Sequence, residues 1–301
     1  MESTPIWYVT SFYRFIPLSD EQVPALREAI ESWMTARGVL GLVLVAPEGV
    51  NGTVASLSLA AINDFKSFIS SAVSVELRFK DSTSEVKPFR RVTVDRRTEI
   101  VGLKRPDVVP TSEEDHHLSP SEWHEWITSD RPHLLIDTRN RYETLAGKFQ
   151  GAVDPDLQTF SEWSSYLDEH ELPRDVPVLM YCTGGIRCEK AILEMRSRGF
   201  EEVYQLRDGI LGYLAEYPDG KFEGECYVFD NRVTVDANLQ PTGNFGICPG
   251  CGLVASAKKP CGWCGEEFFE CDKCSGKRLP ACNKNCLDRL QKSKRPAPRS
   301  G

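Results

Sequence analysis

The chain has 301 residues, 41% hydrophobic and 27% charged, with a net charge of −8. That composition excludes a disordered or fibrous chain and leaves material for two or three folded domains. No apolar run approaches the roughly 20 residues of a membrane span, and MESTPIWYVTSF lacks the basic and apolar stretches of a secretory signal, so a cytoplasmic protein without membrane contact is expected.

Residues 6–13, IWYVTSFY, are aromatic and β-branched and read as a strand. LSDEQVPALREAIESWMTARG has helical period, with Ser19 or Asp20 as its expected cap and Gly38 as its stop. VLGLVLVAPEGVNGTVAS reads as two strands around a turn containing Pro47, Gly49, Asn51 and Gly52, which is either a tight hairpin or the wall of a site. SLAAINDFKSFISSA is a second helix, after Ser58, and VELRFKDSTS and RRVTVDRRTEIVG are further strands. The order βαββαβ plus one strand predicts an α+β, ferredoxin-like domain over residues 1–105.

The stretch KRPDVVPTSEEDHHLSP is rich in proline and charge. It predicts a linker over 106–117, with His116 and His117 as solvated linker side chains. LSPSEWHEWITS then starts a capped helix, HLLIDTRNRYE is a buried strand, and SEWSSYLDEH is a helix. VPVLMYC is an apolar strand, CEKAILEMRSRGF a helix, and EEVYQLRDGILGYLAEY a last strand and helix. Alternation of this kind predicts an α/β domain with a parallel sheet over residues 118–225.

Charge is uneven along the chain. Residues 1–106 hold 13 Lys and Arg against 12 Asp and Glu, residues 245–301 hold 11 against 5, and the middle holds 12 against 27. The middle repels polyanions, while the ends can hold one.

The chemistry concentrates in YCTGGIRCEK, between the apolar strand and the following helix. Ligands of open α/β sheets bind beyond the carboxyl ends of strands, and a helix N-terminus offers unpaired N–H groups to an anion. Cys182 stands at that junction, so the helix terminus and Arg187 lower its thiol pKa and favour the reactive thiolate. Gly184 and Gly185 let the backbone of the Thr183–Ile186 segment curl, so that N–H groups point at the sulfur. Cys188 either resolves an oxidised Cys182 as a disulfide or is a small buried hydrophobe. Cys226 is read as structural or as a supporting thiol.

The six-residue loop from Cys182 to Arg187 is one residue shorter than the loop of tyrosine phosphatases and resembles that of rhodaneses, which carry sulfur on the cysteine. LIDTRNRYE, GKFQGA and LRDGILGY resemble other rhodanese segments. Asp137, Arg139 and Glu143 are then supporting residues, with Asp137 and Arg139 an ion pair that braces the loop. APEGVNGT, DTRNRYE, GKFQGA, YCTGGIRCEKA and GECYVFDNRV occur in that order. Together they resemble the rhodanese-domain tRNA uridine hydroxylases over about residues 5–240. The resemblance implies an acylphosphatase-like first domain, a catalytic rhodanese-like domain and a cysteine-bearing C-terminal part. It further implies oxygen-dependent formation of 5-hydroxyuridine at the tRNA wobble position, with molecular oxygen as co-substrate and Cys182 essential. One route is addition of the thiolate to C6 of the base, which makes C5 nucleophilic toward oxygen.

For tRNA, the basic residues Lys80, Lys87, Arg90, Arg91, Arg96 and Arg97 offer phosphate contacts and Phe89 a stacking surface. The other reading of that stretch is a solvated strand with alternating charge.

Eight of the eleven cysteines lie between residues 248 and 286. Cys248 and Cys251, Cys261 and Cys264, Cys271 and Cys274, and Cys282 and Cys286 form four pairs at metal-ligand spacing. They predict two structural zinc ions in a cysteine-rich region over 226–290, with pairing either sequential or crossed. Iron–sulfur ligation ranks below zinc. The end of the chain, residues 291–301, including most of KSKRPAPRS, reads as a basic disordered tail. The competing functions are a sulfurtransferase or persulfide carrier, and an RNA-binding scaffold with a vestigial rhodanese fold. Intact Cys182 and Arg187 argue against the scaffold.

Overall fold

The first strand, β1 (Trp7–Phe15), is followed by α1 (Gln22–Arg37), β2 (Leu40–Ala46), β3 (Gly49–Ser56), α2 (Leu59–Val73), β4 (Phe79–Ser84) and β5 (Val92–Arg96). These strands make one sheet in the order β4-β1-β3-β2-β5. β2 and β5 run parallel, and the other neighbours are antiparallel. Val23, Leu26, Ile30 and Met34 recur every three or four residues on α1, as do Ile62, Phe65, Ile69 and Val73 on α2. Those stripes bury against Phe12, Val43, Val45, Val50 and Val54, so both helices cover one face of the sheet. The other face, with Ser11, Tyr13, Leu42, Leu44, Asn51 and Thr53, lines a cavity. The structure, a computed structural model, describes residues 4–111 and 116–293.

The start of α1 differs from expectation. Its cap position is Glu21, not Ser19 or Asp20. Ser19 and Gln22 still bridge the entry turn: Ser19 Oγ accepts the Gln22 N–H at 3.2 Å and Gln22 Oε1 accepts the Ser19 N–H at 2.8 Å.

The second domain contains β6 (His117–Leu118), α3 (Pro120–Thr128), β7 (Leu134–Asp137), α4 (Arg141–Thr144), β8 (Gly147–Phe149), α5 (Trp163–Glu169), β9 (Val178–Tyr181), α6 (Ile186–Ser197), β10 (Val203–Leu206) and α7 (Gly209–Glu216). Its parallel sheet has the order β6-β10-β9-β7. β9 is buried along its whole length, as a central parallel strand must be. Val178 and Met180 join a core with Trp163, Ala191 and Met195, while Leu179 and Tyr181 join one with Trp123, Phe149 and Tyr213. The alternation of strand side chains puts the two cores on opposite faces. His116 and His117 are not solvated linker residues. His117 pairs with β10 at the sheet edge, its Nε2 is 3.0 Å from Glu189 Oε1, and His116 Nδ1 is 2.8 Å from Arg196. Residue 116 also supplies the carbonyl that accepts the Gln205 N–H, so the strand partner claims this end of the expected linker.

β11 (Phe222–Gly224) pairs with β8, and β12 (Cys226–Tyr227) pairs with β13 (Thr234–Val235). Cys226, Val228 and Val235 are buried in the core around Trp123. The first compact unit therefore runs to Pro241, and residues 226–241, grouped by sequence with the cysteine-rich region, pack within it. The same segment grips the first domain. The Asn231 N–H donates to Pro88 O at 2.8 Å, and Arg232 Nη1 donates to Ser82 Oγ at 3.1 Å. A second tie is the fully buried Lys190 of α6, whose Nζ lies 2.7 Å from both Glu48 and Glu99.

The second unit begins at Thr242. It has two hairpins, β14 (Gly246–Ile247) with β15 (Val254–Ala255) and β16 (Lys258–Pro260) with β17 (Glu267–Phe269), and a helix, α8 (Lys284–Ser293). Among the described residues its core cluster is small, formed by Cys261, Phe268, Ala281, Cys286 and Leu290. Of the disordered tail expected over 291–301, residues 291–293 instead end α8, and the remainder, from residue 294, lies outside the described residues. Among those described, no helix is long and apolar enough to cross a membrane.

Candidate functional site

Cys182 follows the last residue of β9, and α6 starts four residues later, with Gly185 at its cap position. Gly185 has φ +99, a conformation that side-chain-bearing residues rarely adopt, and its N–H donates to Cys182 Sγ at 3.1 Å. On the far side of the loop, the Ile210 and Leu211 N–H groups at the head of α7 donate to the loop carbonyls of Cys182 and Thr183, at 3.0 and 3.1 Å. Gly209 permits that approach: a Cβ there would stand 2.5 Å from Cys182 O. With its carbonyls held by α7, the loop presents an N–H to the sulfur.

Burial by itself pushes the Cys182 thiol up. A hydrogen bond from Cys188, the Arg187 charge and the N–H groups of Arg187 and Gly185 outweigh it and bring Cys182 down to about 5. Cys188 moves the opposite way, raised well above the usual thiol range by burial and by the adjacent Cys182 sulfur. Thr138 Oγ1 lies 3.4 Å from Cys188 Sγ. At neutral pH the pair is thus one thiolate and one thiol that donates to it.

Arg187 does not use its fork on the sulfur. Nη1 and Nη2 donate to the two oxygens of Glu143 at 2.5 and 2.8 Å, and only its charge acts on Cys182. Thr183 Oγ1 also reaches Glu143, at 3.3 Å. Asp137 and Arg139 form a separate, fully buried pair, with Nε to Oδ1 at 2.9 Å and Nη2 to Oδ2 at 2.7 Å. Arg139 Nη2 holds Gly147 O at 2.6 Å, which ties the strand end to GKFQGA. Thr138, between them, donates through its N–H and hydroxyl to Tyr181 O, one residue before Cys182. Cys226 is buried, and burial pushes its thiol up to about 12.

Cys182, Thr183, Gly184, Ile186 and Arg187 open on a cavity of about 630 Å³. Its opposite wall is the helix-free face of the first domain, and Val228, Phe229, Asp230 and Arg232 close one side. APEGVNGT is thus both hairpin and wall: Pro47 and Glu48 make the turn, while Asn51, Gly52 and Thr53 line the cavity. Sequence reasoning missed Tyr13 and Phe229. The Tyr13 hydroxyl sits 2.9 Å from where a Gly185 Cβ would be and donates to Glu189 Oε1 at 2.7 Å. Phe229 is half exposed, with the Arg187 guanidinium 5.7 Å from its ring centre. An aromatic residue directly before the polar run DNR was the available signal for Phe229; Tyr13 reads locally as one more strand aromatic.

The six basic residues expected to face RNA do not form one patch. Lys80, on edge strand β4, lines the cavity beside Gly184, 5.0 Å above the Tyr13 ring, and burial pushes its ammonium pKa down. Arg96 and Arg97 belong to the opposite sheet edge, near Asp20 and Asp95. Lys87, Arg90 and Arg91 are exposed between β4 and β5, and Phe89 among them is partly buried.

In the second unit the eight cysteines form two groups with interleaved pairing, Cys248, Cys251, Cys271 and Cys274 in one, Cys261, Cys264, Cys282 and Cys286 in the other. Within them, Sγ atoms stand 3.5 Å (Cys251–Cys271), 3.6 Å (Cys264–Cys282 and Cys282–Cys286) and 3.8 Å (Cys264–Cys286) apart. Four sulfurs at about 2.3 Å from a tetrahedral ion are about 3.8 Å apart, so the groups can each hold a metal ion. The Gly252 and Gly265 N–H groups bond back to the carbonyls of Cys248 and Cys261, closing a knuckle around the first pair of each group.

Three family models match the chain in succession. They are described as UPF0176 acylphosphatase like domain at residues 7–100, Rhodanese-like domain at 119–216 and Rhodanase C-terminal at 223–287. Fold and loop therefore define an enzyme of the rhodanese-like class with an added N-terminal domain. Curated relatives named tRNA uridine(34) hydroxylase include that of Bdellovibrio bacteriovorus, 43% identical over 95% of this chain and 82% of the relative. Those of Deinococcus radiodurans (39%, covering 88% of each chain) and Legionella pneumophila strain Paris (41%, covering 77% and 91%) are similar. The chain belongs to the tRNA uridine(34) hydroxylase family.

Proposed function

We propose that the protein hydroxylates the wobble uridine of tRNA at C5, with molecular oxygen as co-substrate and Cys182 as the reactive group. The observation that carries this reading is a depressed-pKa cysteine at the base of a roofed cavity of about 630 Å³, a volume suited to one extruded nucleobase. A uracil entering past Phe229 stacks on that ring and brings C6 to the sulfur. Addition of the Cys182 thiolate to C6 moves an electron pair toward O4 and makes C5 nucleophilic toward oxygen. Loss of the C5 proton and departure of the thiolate then restore the aromatic base. Only one atom of O₂ enters the product, so a two-electron donor that takes the other to water is part of the proposed reaction. Arg187 keeps the departing sulfur anionic, Glu143 holds Arg187, and Asp137 with Arg139 braces the strand ends. Cys188 donates to the thiolate, and it resolves Cys182 as a disulfide if the sulfur is oxidised.

The exposed Lys87, Arg90, Arg91, Arg96 and Arg97 supply phosphate contacts to tRNA. The two cysteine groups hold zinc, which supplies the folding energy that so small a core lacks. Nucleoside mass analysis of tRNA from a deletion strain complemented with wild type or Cys182→Ser tests the reading. We expect 5-hydroxyuridine derivatives to disappear with Cys182→Ser. Unchanged nucleosides, together with thiocyanate release from thiosulfate and cyanide by the purified protein, would establish a sulfurtransferase instead.

A further inference from the structure

Hydroxylation by O₂ leaves one oxygen atom to be reduced to water, and the Cys182 sulfur has a neighbour that can share that work. Cys182 and Cys188 are both 0% exposed and lie in one core with Trp163 and Met195, whereas Cys226 lies in the core around Trp123, on the other face of the sheet. The Cys188 thiol hydrogen-bonds the Cys182 sulfur, so no group stands between them. One residue holds both cysteines: the Gly185 N–H donates to Cys182 Sγ at 3.1 Å, and Gly185 O accepts the Cys188 N–H at 3.1 Å. Cys182 lines the cavity and Cys188 does not, so a substrate meets the first sulfur and the second acts through it.

Resting on the function proposed above, we propose that Cys182 and Cys188 are together the two-electron donor of the reaction, passing from dithiol to disulfide in each turnover. The C5 carbanion formed by thiolate addition at C6 takes up O₂. Loss of the C5 proton to the peroxide and departure of the thiolate leave a C5 hydroperoxide. The freed Cys182 thiolate attacks the terminal oxygen and the O–O bond breaks. The base keeps one oxygen, which takes up a proton, and Cys182 becomes a sulfenic acid. The Cys188 sulfur then attacks the Cys182 sulfur, an S–S bond forms, and the hydroxyl leaves with the Cys188 proton as water. In sum, uracil, O₂, one thiolate, one thiol and one proton give 5-hydroxyuracil, water and the disulfide. The surroundings favour that order. The adjacent Cys182 anion is a cause of the raised Cys188 thiol, while Arg187 and Thr138 act to lower it. Oxidation of Cys182 to the neutral sulfenic acid removes the opposing charge and frees Cys188 to act as the nucleophile. A low-molecular-weight thiol entering the vacated cavity restores the pair by exchange.

The test is a single turnover. Full-length protein, reduced and freed of thiol without air, is mixed with a synthetic anticodon stem–loop RNA bearing the wobble uridine, and then with O₂. Wild type should form about one 5-hydroxyuridine per chain and stop, with Cys182 and Cys188 joined in the peptide map, and should resume when dithiothreitol is added. Without RNA both thiols should stay free. Cys188→Ser should also form about one product, but with Cys182 captured by dimedone as a sulfenic acid and no disulfide. Repeated turnover without thiol, product formed while both cysteines stay reduced, product that appears only once thiol is present, or a disulfide that forms equally without RNA would each overturn the inference and leave the function standing. No 5-hydroxyuridine from wild type even with O₂ and dithiothreitol would overturn both.

Discussion

Arg187 meets Glu143 through two parallel hydrogen bonds, with the side chains 6% and 0% exposed. A buried pair of this kind is costly to break on one side, because the survivor keeps its charge without a partner. Glu143→Gln should cost about 3 to 5 kcal/mol in urea unfolding followed by the fluorescence of Trp123 and Trp163. The double variant Glu143→Gln, Arg187→Met should cost less than the sum of the single changes. Additive costs would mean that the two groups do not work as a unit.

Because Cys182 is held at about 5, below the ordinary thiol range, the fold favours its thiolate. The thiolate is fully present above that value and is lost as pH falls through it. Activity should therefore decline on the acid side near pH 5 and show no thiol step near 8.5. Thiolate ultraviolet absorbance, taken as the difference between wild type and Cys182→Ser, should titrate in the same window. Arg187→Met removes the cationic contribution and should move the midpoint upward.

Gly209 stands with φ +64 where a methyl group would meet the carbonyls of Cys182 and Thr183 at 2.5 and 2.7 Å. Gly209→Ala combines left-handed strain with a backbone clash, and should cost more than about 2 kcal/mol. It should also remove most activity by shifting the loop carbonyls from the head of α7. Retention of full activity would show that this contact does not set the cradle.

Two ions per chain are expected by elemental analysis of the purified protein. Cys248→Ser and Cys274→Ser should each reduce the count to one, and the same ion should be lost in both, since those residues share a group. Loss of different ions would contradict the interleaved pairing. Chelation should unfold the second unit, whose core cluster is small, and leave the tryptophan fluorescence of the first unit unchanged.

What could be read in the sequence was local. The helical stripes of α1 and α2, the strand–loop–helix around Cys182 and the cysteine spacings each lie within a short window and carry their own period. The contribution of the first domain to the site was not legible. Tyr13 and Lys80 meet Cys182's loop from more than a hundred residues away, and only the packing of one domain on the other brings them there. Lys190 shows the same limit. Nothing within CEKAILEMRSRGF marks it, yet it is fully buried between Glu48 and Glu99. The metal pairing was open for a related reason, since interleaving depends on how the two hairpins fold together.

The chamber over Cys182 also restricts whom the sulfur can meet. Handing sulfur from one protein to another requires two cysteines to touch, which suits a nucleophile on an open rim. Here the helix-free face of the first domain and Phe229 wall the cavity, and Cys182 itself is fully buried, so the thiolate does not stand on an open rim.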